Sequence, residues 1–325
     1  MAREALARRL TVGYPRDVIH LFYGDSASKS FSRFNKRGKH IVFREALLAG
    51  PAALPSDTWN DQRARFLADA YQADYETCLA DLEQFEQDLR EQDPGEELVC
   101  WFGRDLFCQV ALIYVLVRLG EFRTANISLV CPPDTNESVY CFGDVAPAQM
   151  NEYLQTRVPV EQLDFQHAAI AWHLYASDDP ESLNAVFDGS IDVGARFATA
   201  LEHHAARFPS TLDGLGITER AILMAVEPAP LDQPELFLEV SKRTRHITWG
   251  DAQVEHLCQQ LAATKPPLLA IDDAAYALTD AGRKTLEGSG TGLARPKHWL
   301  GGCECSNEAL WAWDLDARRI VYSGT

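Results

Sequence analysis

Short apolar runs alternate with helical patterns in the first 145 residues, and this alternation constrains the fold more than any other feature of the chain. The runs that predict strands are Val18–Tyr23, His40–Phe43, Leu98–Phe102 and Asn126–Val130, and we expect a fifth strand at Val139–Phe142. Most of these residues are apolar in succession, as in strands that are covered on both faces. Because helical patterns separate the runs, residues 1–145 are predicted to form an α/β domain with a mainly parallel sheet.

Two further regions follow this domain. Residues 146–212 carry helical patterns without a strand signal and are predicted to be a helical linking region. From residue 213 to residue 325, three helical patterns precede a hairpin across Asp272–Ala274 and the phrase Leu278-Thr279-Asp280-Ala281-Gly282-Arg283. This order is typical of a winged-helix domain, and we expect it to end in a C-terminal hairpin.

Charge narrows the partners that we expect. The chain carries 30 basic and 47 acidic residues, for a net charge of −17, which disfavours general binding to nucleic acid or to an anionic membrane. The third helix of the winged-helix region, Trp249–Ala263, has no Lys or Arg to pair with phosphates. We therefore expect no nucleic-acid partner, and a protein partner for this acidic domain.

The expected location is the cytoplasm, with no membrane contact. The longest apolar run, Val110–Val117, is too short to cross a bilayer, and Met1–Asp17 lacks the apolar core of a signal peptide. The eight cysteines include no C-x-x-C pair, as expected of a reduced chain. The segment Cys303-x-Cys305, with His298 nearby, supplies too few ligands for a zinc site, so we expect an ordinary loop there.

The strongest candidate site is the turn after the first strand. Gly24 permits a tight turn, and Asp25-Ser26-Ala27-Ser28-Lys29 then begins a helix, whose N-terminus favours an anion. Ligand-binding candidates here are Gly24, Ser26, Ser28 and Lys29, with further basic residues at Arg33, Lys36, Arg37 and Lys39. The alternative is an ordinary helix start followed by a solvated basic face.

Polar residues also follow the second and third strands. They are Arg44 and Glu45 after the second strand, and Arg104, Asp105 and Gln109 after the third. If the three strands are neighbours, Asp25, Glu45 and Asp105 meet at one edge and can hold a divalent cation or act as acid and base, while Arg44 and Arg104 orient an anion. Each carboxylate alone also fits a helix cap or a first-turn charge.

Another chemistry is suggested by Gly24-Asp25-Ser26. A strand followed by Gly-Asp-Ser is similar to the nucleophile block of GDS-type esterases, in which Ser26 would attack an ester. Such enzymes need a D-x-x-H segment, and Asp164-Phe165-Gln166-His167 has this form. His167 lies in a helical pattern in the middle of the chain, so a serine hydrolase is the third of three candidate functions.

Several phrases together resemble a bacterial family catalogued as domain of unknown function 1835. They are His20-x-x-x-Gly24-Asp25-Ser26, Arg44-Glu45-Ala46-Leu47 with Gly50-Pro51, and Trp101-Phe102-Gly103-x-Asp105-Leu106-Phe107-x-Gln109. Phe208-Pro209-Ser210-Thr211, Gly214-Leu215, Thr218-Glu219-Arg220 and Trp299-Leu300-Gly301-Gly302 are similar to its usual C-terminal module. The chain departs from the family pattern at Gly143-Asp144-Val145 and at Gly302-Cys303-Glu304-Cys305. The resemblance implies the architecture and the strand-end site, without a substrate.

The first functional hypothesis is an enzyme or binder of an anionic small molecule, phosphate-bearing or nucleotide-like, in the α/β domain. The alternative is a non-catalytic regulatory or adaptor protein whose acidic winged helix docks a protein partner.

Overall fold

The computed structural model describes most of the chain. The described ranges are 18–35, 38–93, 95–122, 126–132, 139–273, 275–288, 293–307 and 311–323. The expectations on Met1–Asp17 and on Lys36 and Arg37 lie outside these residues.

The main sheet is predominantly parallel, as the alternation of apolar runs predicts. Within the described residues it contains β1 (Val18–Tyr23), β2 (Lys39–Phe43), β3 (Glu97–Trp101), β4 (Ile127–Val130) and β5 (Val158–Pro159). Their order is β2-β1-β3-β4-β5, and only β5 pairs antiparallel. The mixed α/β class is therefore confirmed.

The strand that the sequence predicts at Val139–Phe142 is not formed. Phe142–Asp144 forms a 3-10 turn instead, so this prediction is wrong. Gly143 and Asp144 favour a turn, and the two-residue strand β5 takes the edge position beside β4 instead. The sheet thus extends to Pro159, beyond the boundary expected at residue 145.

Helices cover both faces of this sheet. They are α1 (Asp25–Phe34), α2 (Trp59–Tyr71), α3 (Tyr75–Arg90), α4 (Leu106–Phe122) and α5 (Pro147–Gln155). One face buries Phe22 against Phe31 of α1 and Met150 of α5, and the other buries Leu21 with residues of α3 and α4. Burial on both faces is why the strands are almost continuously apolar.

A helical layer packs on the outer side of α4. It contains α6 (Gln162–Tyr175), α7 (Asn184–Phe187) and α8 (Gly194–Ala205), with a 3-10 turn at Pro180–Leu183. Because α4 lies between the sheet and this layer, it is apolar on all sides. Among the described residues, no helix combines the length and the apolar character that a membrane span needs.

The last third of the chain combines helices with small antiparallel sheets. Its helices are α9 (Ile217–Val226), α10 (Gln233–Arg243), α11 (Asp251–Ala262) and α12 (Asp280–Leu286). Its strands are β6 (Leu231–Asp232), β7 (Leu269–Asp272), β8 (Ala275–Leu278), β9 (His298–Leu300), β10 (Cys303–Cys305), β11 (Trp311–Asp314) and β12 (Arg319–Tyr322). A hydrophobic cluster runs without a break from Ile19 in β1 to Ile320 in β12.

Candidate functional site

The strand order places a topological switch point beyond the carboxyl ends of β1 and β3, where open α/β sheets have a crevice. The chain leaves β1 for β2 on one side and later returns to β3 on the other side of β1. Ligands of open α/β sheets bind at such a reversal of strand order. Residues 24–26 follow β1 at this point, and residues 103–105 follow β3.

The first turn of α1 opens into this crevice. Gly24 has φ 79°, which favours glycine, and its N–H donates to the carbonyl of Phe43 (2.9 Å). Within the described residues, no side chain caps the first turn of α1, and Ser26 is exposed. The first N–H groups of a helix lack partners within the helix, so those of α1 are available to a ligand.

Asp25 is engaged by Arg44 at the edge of this turn. The guanidinium of Arg44 donates to Asp25 from Nη2 at 2.8 Å and from Nε at 3.2 Å. Hydrogen bonds from Arg44 lower the pKa of Asp25, so the carboxylate stays ionised while its charge is balanced. Asp25 is thus the partner of Arg44, and an anion can approach the first turn of α1. Lys29 is exposed one turn further along.

Ser28 is directed elsewhere. Its hydroxyl lies 3.1 Å from Nδ1 of His40 in β2, on the side of α1 that faces the sheet. This contact gives no support to its expected role as a ligand contact, which stays a prediction.

Glu45 is a structural anchor, and its expected role as a catalytic base is corrected. Its two carboxylate oxygens accept from Nη2 and Nε of Arg63 at 2.7 and 2.8 Å, and both side chains are 0% exposed. Arg63 also donates to the carbonyls of Ala49 and Pro51 (2.9 and 3.0 Å). This pair closes the loop after β2 against α2, and no carboxylate oxygen of Glu45 remains for a substrate or a metal.

Asp105 is fully buried at the start of α4. Its Oδ1 accepts from the N–H of Cys108 (2.9 Å), as in a helix cap, and the side chain of Thr248 also interacts with this carboxylate. Burial raises the pKa of Asp105 to about 7, although hydrogen bonds from Cys108 oppose this. Asp105 therefore changes its protonation near neutral pH.

The first turn of α4 is closed to an anion. The N–H groups of Leu106 and Phe107 donate to the carbonyls of His246 and Ile247 (2.8 and 2.9 Å). With Cys108 bound to Asp105, these donors are satisfied within the protein. An anion at the crevice would therefore meet α1 rather than α4.

Arg104 and Gln109 both hold main chain, and their expected roles as ligand contacts stay predictions. Nη2 of Arg104 donates to the carbonyl of Val139 (2.9 Å), and its guanidinium lies 5.2 Å from the ring centroid of Tyr140. The amide of Gln109 donates to the carbonyl of Gly103. Arg104 therefore holds segment 139–145, which lies over the crevice, and Gln109 holds the turn after β3.

The sequence indicated a strand in this covering segment and no functional role for it. A Cβ placed on Gly143 would lie 3.4 Å from Oγ of Ser26, and one on Gly103 would lie 2.3 Å from the carbonyl of Tyr140. Segment 139–145 therefore bridges the ends of β1 and β3. In the sequence, Gly143 was the one signal of this arrangement, because a glycine permits the close approach of two chain segments.

The three carboxylates follow adjacent strands but have separate partners. Asp25 binds Arg44, Glu45 binds Arg63, and Asp105 caps α4. The described ranges contain no group of three His, Cys, Asp or Glu side chains placed to hold a metal ion, so the expected divalent-cation site at these residues is not formed.

The residues proposed for a hydrolase triad also have other partners. Asp164 accepts from the N–H of Glu161 at the start of α6 (2.7 Å). Nε2 of His167 lies 3.8 Å from Asp192, and its ring packs beside Gly194 at the start of α8. Ser26 lies beside Gly143 instead. This geometry gives no support to the serine-hydrolase hypothesis.

Comparisons with known proteins give no family. No family model and no curated protein matches the chain. A solved structure described as the Aeropyrum pernix Orc1 protein in complex with DNA matches at 10% identity, over 89% of each chain, with a TM-score of 0.20. The exclusion of a nucleic-acid partner is contradicted by this match and is withdrawn, although a likeness of this size carries no argument for DNA binding by this chain.

Proposed function

We propose that the protein binds a small phosphate-bearing molecule at the first turn of α1, in the crevice between β1 and β3. The observation that carries this proposal is the uncapped first turn of α1 at the reversal of strand order. Main-chain N–H groups at a helix start are the usual donors to a phosphate, and the helix dipole favours its charge.

The neighbouring residues complete the donor set. The exposed hydroxyl of Ser26 donates to the phosphate, and Lys29 adds a positive charge one turn away. The pairing of Asp25 with Arg44 removes the repulsion that a free carboxylate would exert on a phosphate. Segment 139–145 supplies the opposite wall through Gly143.

Asp105 is the group that we assign to proton transfer, should the bound molecule react. Burial raises the pKa of Asp105 to about 7, which suits a general acid or base at neutral pH. The residue lies directly behind Gly103. Because Gly103 has no side chain, Oδ2 of Asp105 lies close to the crevice wall.

We also propose that α9, α10, α11 and the sheet β6-β8-β7 form a winged-helix unit. Three helices followed by an antiparallel hairpin, with Leu231 of β6 opposite Tyr276 of β8, support this assignment. The resemblance to domain of unknown function 1835 and the cytoplasmic location remain part of the proposal, and they rest on the sequence alone.

The test is thermal stabilisation by nucleoside monophosphates and sugar phosphates, with Ser26→Asp as the variant. A carboxylate at this position suits the helix dipole but repels a phosphate, so the fold persists and the stabilisation is lost. Ala148→Asp, at the exposed first turn of α5, is the matched control and keeps the wild-type response. Equal stabilisation of wild type and Ser26→Asp by every phosphate compound would refute the proposed site.

A further inference from the structure

A second site is indicated by Arg207, the one buried arginine in the described part of the chain that forms no ion pair with a described carboxylate. Three arginines are buried among the described residues, namely Arg63, Arg118 and Arg207. Arg63 pairs with Glu45, and Arg118 pairs with Glu86. Arg207, which is 8% exposed, forms no ion pair with any described Asp or Glu. A buried charge without a counter-charge is costly, and proteins seldom retain one without a ligand or partner.

The contacts of Arg207 position it without neutralising it. Its guanidinium donates to the carbonyl of Leu48, lies 3.3 Å from Nδ1 of His204, and lies 5.3 Å from the ring centroid of Trp249. Burial lowers the pKa of His204 well below its usual value, so this ring is neutral and acts as an acceptor. The positive charge of Arg207 therefore remains uncompensated.

Arg207 lines a cavity with a volume of about 490 Å³. Its walls come from the loop after β2, from α2 and α11, and from the segment leading into β9, with Phe66 and Trp249 as aromatic surfaces. Cavities of this size hold small organic molecules. Asp69 is the one carboxylate among the lining residues and is exposed, and the lining Lys297 pairs with Glu304 outside the cavity (3.2 Å).

Two further donors line this cavity. Oε1 of Gln253 accepts from the N–H of Gly250 (2.9 Å), which fixes the amide so that Nε2 points away from Gly250. This Nε2 and the hydroxyl of Tyr71 interact with each other and have no further hydrogen-bond partner among the described residues, and Gln253 is 5% exposed. Burial raises the pKa of Tyr71 to about 12, so its hydroxyl keeps its proton at neutral pH. The pair carries more N–H and O–H groups than its own contact uses, and an oxyanion would accept from those that remain.

We propose that this cavity binds a small organic anion whose carboxylate or phosphate group pairs with Arg207 and accepts hydrogen bonds from Gln253 and Tyr71. The flat walls at Phe66 and Trp249 favour a ligand with a planar apolar part. This site is built from other residues than the first turn of α1, so it stands independently of the function proposed above.

The experiment uses benzoate and phenyl phosphate as probes, which separate carboxylate from phosphate recognition. Binding is followed at millimolar probe by the melting temperature and by the intrinsic tryptophan fluorescence, to which Trp249 contributes. We expect at least one probe to stabilise the wild-type protein, and Arg207→Gln to weaken its apparent affinity about 10-fold or more, because a charge-assisted hydrogen bond is lost.

A second variant keeps the test decisive if Arg207→Gln does not fold. Gln253→Glu preserves the acceptor for Gly250 and places a carboxylate beside the cavity donors. We expect this variant to melt at a higher temperature than wild type without any probe, and to lose the response to the probes. Gln149→Glu, on the exposed face of α5, is the matched control and should change neither property.

Three results would overturn the inference. The first is a wild-type protein that responds to neither probe. The second is an equal response in Arg207→Gln or Gln253→Glu. The third is a Gln253→Glu protein that is no more stable than Gln149→Glu.

Discussion

Breaking the buried pair of Glu45 and Arg63 should cost far more stability than breaking the exposed pair of Asp25 and Arg44. The substitution Glu45→Gln keeps the volume but leaves the guanidinium of Arg63 without a counter-charge, where both side chains are 0% exposed. Loss of one partner from a buried pair costs about 3–5 kcal/mol. Asp25→Asn breaks a pair whose side chains are 46% and 51% exposed, for which about 0–1 kcal/mol is typical.

Equilibrium unfolding in urea measures both free energies. The double substitution Glu45→Met with Arg63→Met is the control, because it removes both charges together and should recover much of the loss. Free energies of unfolding for Glu45→Gln and Asp25→Asn that agree within about 1 kcal/mol would refute the structural role of Glu45.

Two further predictions concern the turn after β3. In the folded protein the pKa of Asp105 is raised to about 7, so Asp105 keeps a proton that it loses near pH 4 in the unfolded chain. The free energy of unfolding should therefore fall by as much as about 4 kcal/mol as the pH rises from 4 to 7. Asp105→Asn should remove this decline in urea unfolding curves, and an unchanged decline would contradict the assignment. Gly103→Ala should destabilise by about 1–3 kcal/mol, because its Cβ would lie 2.3 Å from the carbonyl of Tyr140. Gly120→Ala, inside α4, should instead stabilise by about 0.5–1 kcal/mol by the same measurement, because its Cβ would lie 3.4 Å from the ring of Phe165, an ordinary contact distance. An equal effect of the two substitutions would contradict this account.

The parallel sheet could be predicted because its physical cause lies within each segment. A strand buried on both faces must be apolar at almost every residue, and β1 and β3 satisfy this locally. The start of α1 after Gly24 was visible for the same reason, since a glycine turn and a helix start are properties of consecutive residues.

The partners of the polar residues could not be predicted, because they depend on contacts between distant segments. Arg63 lies 18 residues after Glu45, in the separate helix α2. Nothing in the local sequence distinguishes Arg63, which is buried, from Arg65, which is exposed in the same helix. The three carboxylates have separate partners for this reason, although their strands are neighbours in the sheet.

The remaining differences between the predicted and the observed structure lie where the local sequence signal is weak. The strand β5 has two residues and includes Pro159, which periodicity cannot detect. Arg207 follows a helix whose spacing gave no reason to single it out, and its isolation from carboxylates emerges only when α2, α11 and β9 are brought together.

The most direct measurement of the central claim is an amide NMR titration with inorganic phosphate. We predict that the N–H resonances of residues 25–27, at the first turn of α1, shift with phosphate concentration, while those of Leu106 and Phe107 stay in place because protein carbonyls already bind them. Stationary resonances for residues 25–27 at saturating phosphate would contradict a phosphate site at α1.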